Sequence, residues 1–250
     1  LNRDYNNLNP SINLKYELND RNFVRFATSI SQTLPEFKEF APFEYVSPTG
    51  RVTKGNPDIE RSNVYNVDLK WEFYPSSEEL ISATAFYKKI EDPINLAQAR
   101  GSAGIFQFYN TGKEANIFGI ELEGRVGFLE NENDENLLNL TGNVTKMWLT
   151  QDLLTNFQYN NKTESSLQGA SDFIINSTLS YSNKKEREFI ATLSGNYSSD
   201  KIFALGNPES FTSSDTLFND EIIEKGFVTL DLVLSKEITE KLTARVIGGN

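Results

Sequence analysis

The 250-residue chain contains no histidine and no cysteine. Imidazole and thiol chemistry are therefore absent. Ser–His and Cys–His nucleophiles, disulfides, thiolate zinc sites and imidazole-bound metals are all excluded from this span. Two kinds of cluster remain. Phe37, Phe40, Phe43 and Tyr45 crowd residues 35–61, with Arg51 in the same stretch, and residues 107–113 add Phe108 and Tyr109. Rings with a polar handle stack on flat ligands such as sugars, which makes Phe40, Phe43, Tyr45, Arg51, Phe108 and Tyr109 candidate ligand contacts. The alternative is a loop that packs on its own side chains. The run Glu130-Asn131-Glu132-Asn133-Asp134-Glu135 invites a calcium reading. Its spacing matches no EF-hand, and a solvated acidic turn accounts for it, so no metal site is assigned. With no catalytic set, metal or cofactor motif, the chain reads as a non-enzyme that needs no cofactor.

Charge narrows the partners. A net charge of -11 and a pI near 4.7 argue against nucleic acid, because phosphate contacts need clustered Lys and Arg. No run approaches the ~20 apolar residues of a membrane helix. Strands of a transmembrane barrel are only about 9–11 residues long and alternate apolar with polar, so they stay hidden in a mean hydropathy of -0.45. The chain opens on Leu1 without a basic-then-apolar leader, and is expected to be a mature or excised segment.

The elements that must position these side chains are strands. Tyr65, Val67, Leu69, Trp71 and Phe73 alternate with Asn66, Asp68, Lys70 and Glu72. Successive side chains of a strand point to opposite faces, so this segment has one greasy face and one wet face. Val228, Leu230, Leu232 and Leu234 repeat the pattern against Thr229, Asp231 and Ser235. Similar alternation begins near residues 12, 24, 81, 120, 138, 173, 189 and 242, giving about ten strands and no amphipathic helix of useful length. Short polar connections (residues 19–21, 75–78, 130–136, 183–185 and 237–240) take turns with long ones (35–61, 92–114, 150–170 and 205–225). That rhythm belongs to an antiparallel up-and-down barrel with tight turns on one rim and extended loops on the other. The wet faces carry both signs of charge, among them Lys70, Glu72, Glu121, Glu123 and Arg125, as a hydrated lumen would. A soluble β-sandwich, either a surface adhesin or a carbohydrate-binding protein, is the competing reading.

One stretch goes beyond rhythm. RFATSISQTLPEFKEFAPFEY is followed by GNPDIERSNVYNVDLKWEFYPSSEE and LISATAFYKKIEDPI. Arg25, Pro35, Phe37, Glu39, Pro42 and Phe43, then Gly55-Asn56-Pro57, then Asn66, Asp68 and Leu69, then Phe86-Tyr87-Lys88, Ile90 and Asp92-Pro93-Ile94 fall in the order typical of one family. Asn110-Thr111-Gly112 and the strand at Gly119-Ile120-Glu121-Leu122-Glu123 also fit. The chain resembles the C-terminal part of the barrel of a TonB-dependent outer-membrane receptor of the Bacteroidetes type. The resemblance departs at Leu34, where many relatives have Arg.

The resemblance implies that residues 1–250 form a partial barrel domain, about ten strands of a ~22-stranded transmembrane barrel, without the plug domain or the final strand. It implies a bacterial outer-membrane location and import of a scarce nutrient, a siderophore, glycan or similar small molecule or oligosaccharide, with TonB-derived energy. The TonB complex would be contacted by a segment outside this chain, and an extracellular lipoprotein partner is left open. Val67, Leu69, Trp71, Phe73, Val228, Leu230, Leu232 and Leu234 would then face outer-membrane lipid. Asn66, Asp68, Lys70, Glu72, Glu121, Glu123 and Arg125 would face the lumen. Tyr16, Tyr65, Trp71, Tyr87, Tyr181 and Tyr197 are expected in interfacial girdles.

Overall fold

The computed structural model describes residues 8–99, 104–133, 135–183, 186–207 and 220–250. Along the chain lie β1 (Ser11–Asn19), β2 (Asn22–Thr33), the one-turn helix α1 (Phe37–Phe40), β3 (Glu44–Val46), β4 (Val52–Lys54), β5 (Ser62–Phe73), β6 (Leu80–Glu91), β7 (Ile94–Gln98) and β8 (Ile105–Asn110). They are followed by β9 (Glu114–Glu130), β10 (Asn136–Asp152), a 3-10 turn (Thr155–Phe157), β11 (Glu164–Ser165), β12 (Phe173–Ser182), β13 (Phe189–Ser198), β14 (Lys201–Ala204), β15 (Ile222–Glu224), β16 (Phe227–Thr239) and β17 (Leu242–Gly249). One antiparallel meander, β1-β2-β5-β6-β9-β10-β12-β13-β16-β17, forms the wall, with β11 added beside β10. Its ten strands are the ten alternating segments of the sequence. Within the expected connections, residues 100–103, Asp134, Lys184, Lys185 and residues 208–219 lie outside the described residues.

The register carries the alternation in phase from strand to strand. Val24, Trp71, Ala83, Leu122, Val144, Ile175, Tyr197 and Val228 are successive partners on one face. One step away, Arg25, Lys70, Thr84, Glu121 and Thr145 are partners on the other. A one-residue slip would exchange the two faces, so the pattern itself specifies the register. Burial is inverted relative to a soluble sheet. Val67, Leu69 and Trp71 are 40%, 52% and 39% exposed, whereas Glu72 and Ser82 across the sheet are 6% and 2% exposed. A β-sandwich would cover the apolar face with a second sheet; the described strands place none there.

Aromatic side chains gather on the apolar face at the end that leads into the long connections. Tyr65, Tyr87, Phe118 and Trp148 lie there, and Phe118 and Trp148 pack at 5.4 Å between ring centroids. Phe173 and Tyr197 continue the row at 6.3 Å. Of the residues expected in girdles, Tyr65, Tyr87 and Tyr197 are in this row. Trp71 and Tyr181 sit toward the short-turn end, and Tyr16 lies midway along β1. Trp148, which no alternation argument singled out, is half exposed in the row.

The long connections are not plain loops. α1, β3, β4, β7, β8 and β15 lie within them, β14 opens the fourth a few residues earlier than expected, and β3-β4-β8-β7 form a second sheet in which β4 and β8 run parallel. The buried apolar residues of the molecule are concentrated here. Ala97, Leu153, Tyr159, Ile202 and Leu205 form one cluster, and Leu96, Phe106 and Ala204 another. Leu205 donates its N–H to Leu96 O at 2.9 Å, tying the fourth connection to the second. Among the described residues the buried apolar clusters thus lie in the loop body, while the wall strands contribute none to them.

Candidate functional site

Two surfaces can meet a partner: the polar face of the wall and the loop body above it. On the polar face, alternation brings Asn66, Asp68, Lys70 and Glu72 beside Arg25, Ser82, Lys88 and Glu123. The Arg25 guanidinium Nε donates to Glu72 Oε2 at 2.7 Å, and Lys70 Nζ lies 3.7 Å from Glu72 and 3.1 Å from Glu123. Ser82 Oγ donates to Glu123 Oε2 at 3.2 Å, and Lys88 Nζ to Asn66 Oδ1 at 2.8 Å. Thr145 Oγ1 donates to Glu121 Oε2 at 3.0 Å. Charge-assisted bonds of this kind are roughly twice as strong as neutral ones, and a linked set holds several strands in one arrangement. Farther along the wall the chemistry changes. Asn196 donates to Asn176 and Asn176 donates to Asn143 Oδ1 at 2.8 Å, forming an amide ladder across three strands. Thr178 and Ser194 pair through hydroxyls at 3.1 Å, and Ser180 and Thr192 at 3.2 Å.

In the loop body, the motif residues act as pegs. A Cβ on Gly55 would lie 1.9 Å from Ala41 O, so only glycine lets the two segments touch. Next to it, Asn56 donates its amide N–H to Glu39 O at 2.7 Å and its Nδ2 to Phe108 O at 3.0 Å. Asp92 has a φ of 53°, and its carbonyl accepts from Ser62 Oγ at 2.7 Å and Asn110 Nδ2 at 2.8 Å. Below them is a fully buried polar knot. Asn95 Nδ2 donates to Thr111 Oγ1 at 2.7 Å and to Gln151 Oε1 at 2.8 Å, while Gln151 Nε2 donates to Ser166 O at 2.9 Å. Asn95 Oδ1 has no hydrogen-bond partner among the described residues. Asn95 and Gln151 were not singled out in the sequence. Thr111 was, within Asn110-Thr111-Gly112, but without a role.

The candidate ligand contacts divide. Phe37 meets Phe40 edge-on at 5.6 Å and Phe43 at a tilt at 5.7 Å, with Phe43 and Tyr45 44% and 56% exposed. Arg51 does not join them: its guanidinium lies 4.0 Å from the Phe203 ring, which meets Phe106 edge-on. Phe108 packs on the buried Leu96–Phe106 cluster. The Tyr109 ring sits 5.0 Å from Phe157, and its hydroxyl donates to Gln107 Oε1 at 2.6 Å. The six residues therefore do not converge on one point. Among the described residues no cluster of three or more carboxylates suits a metal ion.

The third and fourth connections are clamped by charge. Lys162 Nζ lies 2.7 Å from both Asp220 Oδ1 and Glu221 Oε2. Hydrogen bonds from Glu221 and Lys162 hold the Asp220 carboxyl well below the usual carboxylate range. Burial resists the charge on Lys162, but its two carboxylates outweigh it and raise its pKa. Tyr159, stacked beneath, is pushed up to about 12 mainly by burial.

The whole chain, residues 1–250, matches the family described as "TonB dependent receptor-like, beta-barrel". No curated protein sequence matches it. Solved structures share its fold. The siderophore receptor PirA from Acinetobacter baumannii is 16% identical with a TM-score of 0.64, over 96% of this chain and 36% of that one. A mutant ferric enterobactin receptor from Pseudomonas aeruginosa is 16% identical with a TM-score of 0.62, over 98% and 34%. The ferric-catecholate import receptor Fiu from E. coli K12 is 13% identical with a TM-score of 0.60, over 95% and 29%. The chain spans about a third of the length of these receptors.

Proposed function

Because this chain belongs to the TonB-dependent receptor β-barrel family, whose place is the bacterial outer membrane, we propose that it is the wall and outer loops of a receptor importing a scarce nutrient with TonB-derived energy. The observation that carries this is the inverted wall. Val67, Leu69 and Trp71 stand exposed while Glu72 and Ser82 opposite them are buried among polar partners. Only a surrounding of hydrocarbon makes that arrangement favourable. Every backbone group of a lipid-exposed strand must also find a ladder partner, as a closed barrel provides.

In this reading Val67, Leu69, Trp71, Phe73, Val228, Leu230, Leu232 and Leu234 meet lipid. Asn66, Asp68, Lys70, Glu72, Glu121, Glu123 and Arg125 meet the plug domain or lumen water. The plug and the TonB-contacting segment are assigned to parts of the receptor outside these residues, and the Bacteroidetes-type motif order and a lipoprotein partner belong to the same proposal. Of the candidate contacts, Phe43 and Tyr45 are exposed rings suited to a first ligand contact, with the half-buried Phe40 beside them. Arg51, Phe108 and Tyr109 support the loop body that presents them. Siderophores are the first ligands to try, since the solved structures of similar fold are named for them; glycans are the second.

The test uses the intact receptor in its own cells. The expected result is extraction only with detergent, heat-modifiable migration, and uptake of a ferric catecholate or an oligosaccharide that disappears on gene deletion and on collapse of the proton gradient. Folding in plain buffer, with Leu69 and Trp71 shielded from a lipid-soluble photolabel, would overturn the proposal.

A further inference from the structure

The polar face of the wall is divided into two chemistries. Polar-face charges crowd β5, with Asp68, Lys70 and Glu72, and β9, with Glu121, Glu123 and Arg125. The next three wall strands, β10, β12 and β13, carry no charged side chain on that face. Their registers align Asn143, Asn176 and Asn196 in one row and Thr141, Thr178 and Ser194 in the next, all amides and hydroxyls. Neighbouring strands lie about 4.8 Å apart, so this neutral strip is roughly 10 Å across. On the charged side, Asp68 and Arg125 make no ion pair among the described residues.

We infer that the neutral strip of β10, β12 and β13 is the side of the lumen along which a hydroxyl- and amide-bearing solute passes, while the charged wall of β5, β6 and β9 holds the domain that fills the lumen. The inference rests on the transport reading above. Charges left unpaired within the wall, such as Asp68 and Arg125, are open to counter-charges that a folded domain supplies in fixed geometry. Such pairs resist displacement. Hydroxyls and amides instead exchange water for solute hydrogen bonds at little net change, so a solute moving past them meets no deep trap. The amide ladder is suited to such passage. Asn143 Nδ2 and Asn196 Oδ1 remain at its two ends to serve a passing partner, while the internal bonds keep the strip flat against the wall.

The chain has no cysteine, so a single introduced thiol reports on one position. In the full receptor in living cells, Thr178→Cys in the strip and Thr84→Cys on the charged wall are labelled with a membrane-impermeant maleimide, with the proton gradient intact or collapsed. If energisation turns an open state from about a tenth of the population into the majority, Thr178→Cys labels roughly tenfold faster while Thr84→Cys is unchanged. Heat-modifiable migration verifies folding, and Ser194→Cys, the hydroxyl partner of Thr178, repeats the test from the adjacent strand. An equal response at both walls, or one confined to Thr84→Cys, overturns the strip and leaves the transporter standing. No response to the gradient at any position overturns both.

Discussion

Replacing Asn95 with alanine tests whether the buried knot holds the loop body to the wall. The side chain is fully buried and donates to Thr111 Oγ1 and Gln151 Oε1. Losing two such bonds costs about 1–3 kcal/mol, and stranding the Gln151 carbonyl without a donor costs about as much again. Against this, Asn95 Oδ1 is itself unpartnered among the described residues, and its removal returns about 1–3 kcal/mol. The Thr111 hydroxyl oxygen loses the same donor, a cost already counted among the two lost bonds. The balance is a local destabilisation of about 2 kcal/mol, or roughly a thirtyfold rise in opening. Hydrogen exchange in detergent reads it directly. The Leu154 amide, which donates to Thr111 O at 2.9 Å, should exchange roughly thirtyfold faster, while the Leu69 amide in the wall is unchanged. Exchange at Leu154 within a factor of about three of wild type would show that backbone pairing alone secures the loops and refute the reasoning.

Three further outcomes are expected. Leu69→Arg puts a charge on the apolar face and should cost about 2–4 kcal/mol in membrane folding equilibria, whereas Asp68→Arg on the opposite face should cost far less; similar losses would contradict the assignment of faces. Gly55→Ala, with its Cβ 1.9 Å from Ala41 O, should disorder the first long connection to limited proteolysis. Gly50→Ala, with open space around it but a φ of 80°, should cost only about 1–2 kcal/mol and leave the digestion pattern intact. Finally, the Asp220 carboxyl is held below its ordinary value of 3.8, so the Lys162 clamp adds stability that is complete above that pH and is lost as pH falls through the lower folded value. Amide exchange around Tyr159 and Lys162 should therefore accelerate only below about pH 4, and the Asp220→Asn variant should lose that acceleration.

The wall was legible in the sequence because a strand writes its two faces into neighbouring residues. Tyr65 to Phe73 states its own alternation without help from any distant residue, and the antiparallel meander follows from short connections. The same local pattern, read with the rhythm of turns, separated the polar set at Asn66–Glu72 from the apolar set at Val67–Phe73. The motif residues were legible too, but not their roles: Gly55, Asp92 and Asn110 turned out to be pegs of the loop body.

What only the tertiary structure decided lies in contacts far apart along the chain. Asn56 bonds Phe108 across 52 residues, and Asn95 bonds Gln151 across 56. β4 runs parallel to β8, a pairing that neither three-residue nor six-residue segment could announce by period. Phe108, Tyr109 and Arg51 have the residue types of a ligand site, yet their neighbours Leu96, Phe157 and Phe203 draw them into packing. Periodicity describes how one segment divides its own side chains between two sides. It holds no information on which remote segment will arrive to bury them, and that is settled only when the wall brings all four long connections to the same rim.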